Sequence, residues 1–216
     1  GATECGDNVW DPGWVSSDQQ VGIPLPADIA LSPATRYYWQ VKTRDQHGVE
    51  SDWSFPAWFE TGLLAAADWR GADWITKGNS GTSLPLLRGL FAATKAVRSA
   101  RIYASAHGIY ELTLNGHKVG DQFLAPGWTD YHQRIQSQTY DVTDLVRAGP
   151  NVLRVALGDG WYRGKVGLGW HGVYGDSLAF IAKIKITYTD GTVAWSGTDG
   201  QWRATDSPRR DANLQD

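Results

Sequence analysis

The chain has 216 residues, 42% of them hydrophobic, which suffices for one large domain or two small ones. Its 20 basic and 23 acidic residues give a net charge of -3 with no basic run, which argues against nucleic acid as a partner. No apolar run approaches the ~18 residues of a membrane helix, and the single cysteine, Cys5, excludes an internal disulfide.

Twelve Trp and no Met are unusual. The opening GATECGDNVWDPG looks like neither an apolar signal segment nor a mature start, so the chain is expected to be an internal fragment of a longer protein. Trp-rich all-β proteins bury most of these rings and expose a few at binding sites.

In chain order, the first strand signal is Arg36–Arg44, where Tyr37, Trp39, Val41 and Thr43 alternate with polar neighbours, a period-2 strand with one buried face. Asp45-Gln46-His47-Gly48 reads as a turn, and a second extended run follows through Trp58–Thr61. Leu31–Tyr37 looks like a tyrosine corner, in which a Tyr hydroxyl bonds upstream backbone. This half is similar to the last strands of a fibronectin type III domain. About seven strands make such a sandwich, so exposed edges and apolar surface are expected here. Residues 63–75 suit a short helix or packed connector, and 76–85 read as a flexible loop.

From Leu86 the pattern is β throughout. The expected strands are 86–94, 100–106, 109–114, 118–123, 133–140, 151–157, 178–188, 192–196 and 201–204. Asn115-Gly116 and Asp190-Gly191 both predict type I′ hairpins, and 142–146 predicts a single helical turn closed by Gly149. So many short strands without a fixed repeat predict a jelly-roll β-sandwich. The fold class is therefore all-β, with two sandwiches: a partial fibronectin or immunoglobulin-like domain over 1–62, a connector over 63–85 and a jelly roll over 86–216.

Two turns concentrate the chemistry. Trp128, Asp130 and Tyr131 occupy one; Asp159, Trp161, Tyr162 and Arg163 occupy the other. A pyranose offers C–H faces to rings and hydroxyls to charged groups. A ring half covered by sugar contributes about 2 kcal/mol, whereas millimolar affinity needs ~4 kcal/mol, so two rings with charge-assisted hydrogen bonds are required. The two turns form a common wall if they lie at one end of the sandwich. Alternatively, Trp128 and Trp161 pack beneath the loops and pin them. Catalysis within the chain is not expected: glycoside hydrolysis uses two carboxylates, Glu111 alternates within a strand, and Asp in a glycine turn usually bonds backbone. The five His lack metal-ligand spacing and no metal is assigned, although a calcium site of loop Asp and carbonyl oxygens has spacing too loose to read from sequence; no cofactor is expected. The glycine-rich run 164–175 has no following helix for a phosphate loop and reads as a long adaptable loop.

Several stretches, in order, resemble the N-terminal region of bacterial α-L-rhamnosidases, glycoside hydrolase family 78. They are TRYYWQVKTRDQHGVESDW (35–53), FETGL (59–63), Asp68-Trp69, ADWI (72–75), ARIYA (100–104), 108–116, LAPGWTDY (124–131), QTYDVTDL (138–145), LGDGWYRG (157–164) and YGD (174–176). The resemblance implies an accessory region followed in the parent by an (α/α)6 barrel, which carries both catalytic carboxylates and inverts the anomeric carbon. It also implies rhamnose-containing glycans or glycosides as substrates and the barrel as an intramolecular partner. Residues 207–216 resemble the segment leading to the family's Gly-Glu-x-Tyr-Asp-Ala-Arg motif. The resemblance leans toward a periplasmic or secreted bacterial protein, with any signal peptide upstream of Gly1. Asn115-Gly116 followed by 151–155 is also similar to the sugar-binding sandwich of family 2 glycosidases. A free-standing carbohydrate-binding module and a structural spacer are the alternative roles.

Overall fold

The computed structural model describes residues 8–77, 84–167 and 169–208. Most of the predicted 76–85 loop, Cys5, and the end of the chain from Arg209 lie outside these. The chain divides into two compact units after Leu64.

In the first unit, β1 (Arg36–Trp39) pairs antiparallel with β2 (Ala57–Glu60). Tyr37 and Phe59 face each other across the pair and stack at 5.5 Å, while Arg36 lies 4.0 Å over the Trp58 ring on the other face. The tyrosine corner is present: the Ser32 N–H donates to the Tyr37 hydroxyl at 2.7 Å. The predicted strand to Arg44 stops at Trp39. Beyond it the pairing becomes irregular: Ser54 N–H donates to Val41 O and Ser51 N–H to Thr43 O, while the return bonds go to serine side chains, Val41 N–H to Ser54 Oγ and Thr43 N–H to Ser51 Oγ. The expected buried face is not buried either. Trp39 and Val41 are exposed, because no second sheet among the described residues of this unit covers them.

The second unit begins with a 3-10 turn at Ala66–Trp69. Its strands are β3 (Pro85–Ala93), β4 (Val97–His107), β5 (Ile109–Leu114), β6 (His117–Lys118), β7 (Gln138–Asp141), β8 (Gly149–Gly158), β9 (Lys165–Val166), β10 (Trp170–His171), β11 (Ala179–Tyr188), β12 (Val193–Gly197) and β13 (Arg203–Asp206). One sheet has the order β12-β11-β4-β7 and the other β13-β3-β8-β5-β6, and β9 pairs with β10 as a separate small hairpin. The core between the sheets follows from period-2 alternation. Leu87 and Phe91 on β3, and Leu153 and Val155 on β8, meet Ile102, Ala104, Phe180 and Ile184 of the facing sheet. Trp202 enters this core over Gly89, where a Cβ would lie 2.1 Å from the indole.

The Asn115-Gly116 turn has both residues at positive φ, +54 and +89, as a type I′ turn requires. At Asp190-Gly191 only the glycine is positive (φ +84). Thr189 lengthens that loop, so it closes as a three-residue hairpin with glycine in the left-handed position. The predicted strand 118–123 shrinks to His117–Lys118, because Gly120 (φ +71) turns the chain away and leaves Phe123 exposed. The 133–140 strand begins only at Gln138, and residues 143–145 form the expected helical turn. Gly149 does not close that turn but opens β8. The run 164–175 is not simply a loop, since it contains the β9–β10 hairpin.

Segment 71–75 seals the edge of the four-stranded sheet. Asp73 N–H donates to Thr198 O, and Ile75 bridges Phe180. A Cβ on Gly197 would sit 2.1 Å from Gly71 O and 2.8 Å from Ala72 Cα. These are backbone atoms that cannot swing aside. Gly197→Ala is therefore expected to destabilise by about 1–3 kcal/mol. A melting temperature within one degree of the parent chain would show that the seal is looser than described.

Candidate functional site

The two turns singled out above come together at one end of the second unit. After β6 the chain forms a loop held by Leu124 at φ +58 and a cis Ala125–Pro126 bond. A positive φ is rare for a bulky residue and is tolerated here because both flanks are fixed. Gly127 N–H donates to Leu124 O, and the buried Ala125 carbonyl accepts from Tyr110 N–H. This loop delivers Trp128, Asp130 and Tyr131. After β8, a helical turn over Gly160–Arg163 delivers Trp161, Tyr162 and Arg163. Gly160 opens it at φ +51, where a Cβ would collide with Ile109 Cγ2.

Trp128 and Trp161 lie parallel, 4° apart in plane with centroids at 5.9 Å. Trp128 is 53% exposed, and its indole N–H points to the Tyr174 hydroxyl at 3.4 Å. Beneath them sits a set of edge-on rings. Tyr131 packs against Tyr162 (5.4 Å, 88°) and Tyr174 (5.0 Å, 65°). Tyr162 stacks on His107 at 4.7 Å, and His107 on Trp74 at 4.3 Å. Burial pushes the His107 imidazole below its ordinary range, which favours the neutral ring inside this stack. Gly175 is what lets Tyr162 lie there, since a Cβ would meet its hydroxyl at 2.4 Å.

The seven predicted residues thus gather in one place, but they do not share one role in the structure. Tyr131 is only 8% exposed and donates its hydroxyl hydrogen to Gly127 O at 2.8 Å. Burial, with Tyr174 beside it, pushes its phenol up to about 12, so it stays protonated as that donor. Asp159 is buried and forms an ion pair with Arg163, four residues on, whose side chain is also buried. Both groups are turned toward each other within the loop. Asp130 is exposed, yet its Oδ1 accepts the His132 N–H at 3.1 Å and lies 3.5 Å from His132 Nδ1. It forms the backbone turn that glycine-flanked Asp residues usually form. Glu111 faces solvent, 3.8 Å from Lys118. Trp128 and Trp161 present the apolar surface.

Tyr174, His107 and Trp74 belong to the same ring cluster and were not singled out as site residues from sequence. For Tyr174 a signal existed: Tyr174-Gly175-Asp176 repeats the aromatic, glycine and acid composition of the other two turns. Trp74 and His107 carry no such local signal.

The family model described as the α-L-rhamnosidase N-terminal domain matches residues 95–216, and that of the Rha78A-like N-terminal immunoglobulin domain matches residues 2–65. An α-L-rhamnosidase of Streptomyces avermitilis is 40% identical over 172 residues, covering 78% of this chain and 17% of the relative. One from Formosa agariphila is 34% identical over 212 residues, covering 92% of this chain and 22% of the relative. Among solved structures, the α-L-rhamnosidase of Aspergillus terreus superposes with a TM-score of 0.78 at 32% identity, over 86% of this chain and 22% of that one. The chain spans about a fifth of the length of these relatives.

Proposed function

Because the chain belongs to the α-L-rhamnosidase N-terminal domain family, we propose that it is the non-catalytic N-terminal accessory portion of an α-L-rhamnosidase. The whole enzyme would hydrolyse terminal α-L-rhamnosyl residues of glycans or glycosides with inversion, using carboxylates in a barrel outside this sequence. The accessory portion packs against that barrel, and its aromatic end borders the substrate cleft. The observation that carries this role is the parallel pair of indoles, Trp128 and Trp161, held out by two ring-buttressed loops at one end of the sandwich. The chemistry of the same end supports a non-catalytic assignment. Hydrolysis with inversion needs two carboxyl groups ~6.5–9.5 Å apart with room for water between them. Here Asp159 is paired with Arg163, and Asp130 holds a turn.

Two measurements test the proposal. The 216-residue chain alone is expected to release no 4-nitrophenol from 4-nitrophenyl α-L-rhamnoside, and measurable turnover overturns the non-catalytic role. In the full-length enzyme, Trp161→Ala is expected to lower kcat/KM for that substrate about tenfold, the loss from removing the ring stacked on Trp128. Unchanged kinetics in a normally folded variant would remove the aromatic end from the cleft.

A further inference from the structure

The aromatic end separates its polar groups from its rings. Most of the groups that would serve a sugar's hydroxyls are turned inward. Asp159 and Arg163 neutralise each other in the loop, and the Tyr131 hydroxyl is committed to Gly127 O. The Trp128 indole N–H points to Tyr174. Asp130 Oδ1 accepts the His132 N–H, and that carboxylate stays exposed at the turn beside the rings. What otherwise faces outward is ring: Trp128, half exposed, lies parallel to Trp161.

A pyranose laid on such a surface would cover one apolar face. Apart from those within reach of Asp130, the hydroxyls it brought over the rings would lose water without gaining a partner, which is unfavourable. A planar aromatic ring has no such requirement, and it gains from offset stacking on an indole. The spacing also decides where a ring would lie. A ring inserted between two others needs a gap of roughly 7 Å, twice the contact distance of carbon atoms. The indole centroids are 5.9 Å apart, so a ligand stacks on the outer face of Trp128 rather than between the two.

We propose that the Trp128–Trp161 platform is a subsite for the planar aromatic aglycone of a rhamnoside, and not for its sugar. This rests on the reading that the aromatic end borders the cleft of an α-L-rhamnosidase. The platform then acts on selectivity between leaving groups. Trp128 supplies the stacking face. Trp161 backs it, and the Asp159–Arg163 pair seats the turn that carries Trp161.

The test uses phenyl α-L-rhamnoside, whose two halves report separately. Saturation-transfer NMR with the 216-residue chain is expected to show the strongest transfer to the phenyl protons. Trp128→Ala is expected to remove it, and Trp128→Phe to retain most of it. Stronger transfer to the rhamnosyl protons, or transfer that survives Trp128→Ala, overturns the proposal. In the full-length enzyme, Trp128→Ala should lower the ratio of kcat/KM for aryl rhamnosides to that for rhamnosyl disaccharides about three- to tenfold. An equal fall for both substrates overturns the aglycone assignment while leaving the cleft-bordering role intact. Phenyl transfer to the chain with no kinetic effect of Trp128→Ala in the enzyme overturns the cleft-bordering role instead, and the aglycone subsite with it.

Discussion

Asp159→Ala is expected to destabilise the second unit by about 3 kcal/mol and to unseat the loop carrying Trp161. The Asp159 and Arg163 side chains are 10% and 11% exposed, and the Arg163 Nε–H donates directly to Asp159 Oδ1. Removing the carboxylate takes the Asp159 counter-charge from a guanidinium in a poorly hydrated position, and that loss exceeds the net contribution of the intact pair. The pair also closes the helical turn: Arg163 N–H donates to Asp159 O, and Gly172 N–H to Arg163 O. Thermal unfolding should shift by roughly 6–12 °C, given about 2–4 °C per kcal/mol for a chain of this size. The double variant Asp159→Leu with Arg163→Met tests the cause. It removes both charges while keeping side-chain volume, and should recover most of the loss. A double variant as unstable as the single one would mean that packing, not charge, holds the turn. A shift of less than a degree in Asp159→Ala would contradict the buried pair altogether.

This pair also shows how far sequence could lead. Asp159 and Arg163 are four residues apart, the spacing that joins side chains on one helical face. The glycines around them made Gly158–Gly164 read as an open turn, so both were expected to face a ligand. In the structure Gly160–Arg163 forms a helical turn, and the two charges satisfy each other. Features fixed by local chemistry were legible: the Asn115-Gly116 hairpin from its demand for two positive φ values, and the tyrosine corner from the Ser32–Tyr37 spacing. Features decided by distant partners were not. Trp39 and Val41 alternate as a buried face should, but alternation says nothing about whether a second sheet covers them. Trp74 and His107 reach Tyr162 only through the edge segment and the end of β4. The two aromatic turns were found by composition. Their meeting depends on Leu124, Gly160 and Gly175, whose roles are backbone conformation and close contact rather than side-chain chemistry.

Asn151→Ala is expected to have the larger effect, about 3–5 kcal/mol, and to act on the whole sandwich. Asn151 is fully buried at the start of β8 and uses its complete hydrogen-bonding capacity. Its Oδ1 accepts from Arg147 N–H and Asn115 Nδ2–H, both at 2.8 Å, and its Nδ2 donates to Arg147 O at 2.8 Å and Gly149 O at 2.9 Å. Asn115 extends the network, donating to Leu145 O and accepting from Val152 N–H. Two asparagines thus tie the β5–β6 turn, the 143–149 segment and β8 together. Truncation to Ala leaves one N–H, two carbonyls and an amide donor without that partner around a fully buried side chain with part-buried partners, each carrying its own desolvation cost. Asn151→Asp separates hydrogen bonding from volume. It keeps the shape but turns an acceptor toward two carbonyls, so burial and these neighbours raise its folded-state pKa above that of the unfolded chain. A group so raised is least harmful below the unfolded value of about 4, and its penalty grows as pH rises through the folded-state value. Urea melts of Asn151→Asp at low and neutral pH, each referred to the parent chain, should therefore show partial recovery on the acid side. A penalty independent of pH would place the carboxylate in contact with water and contradict the closed network.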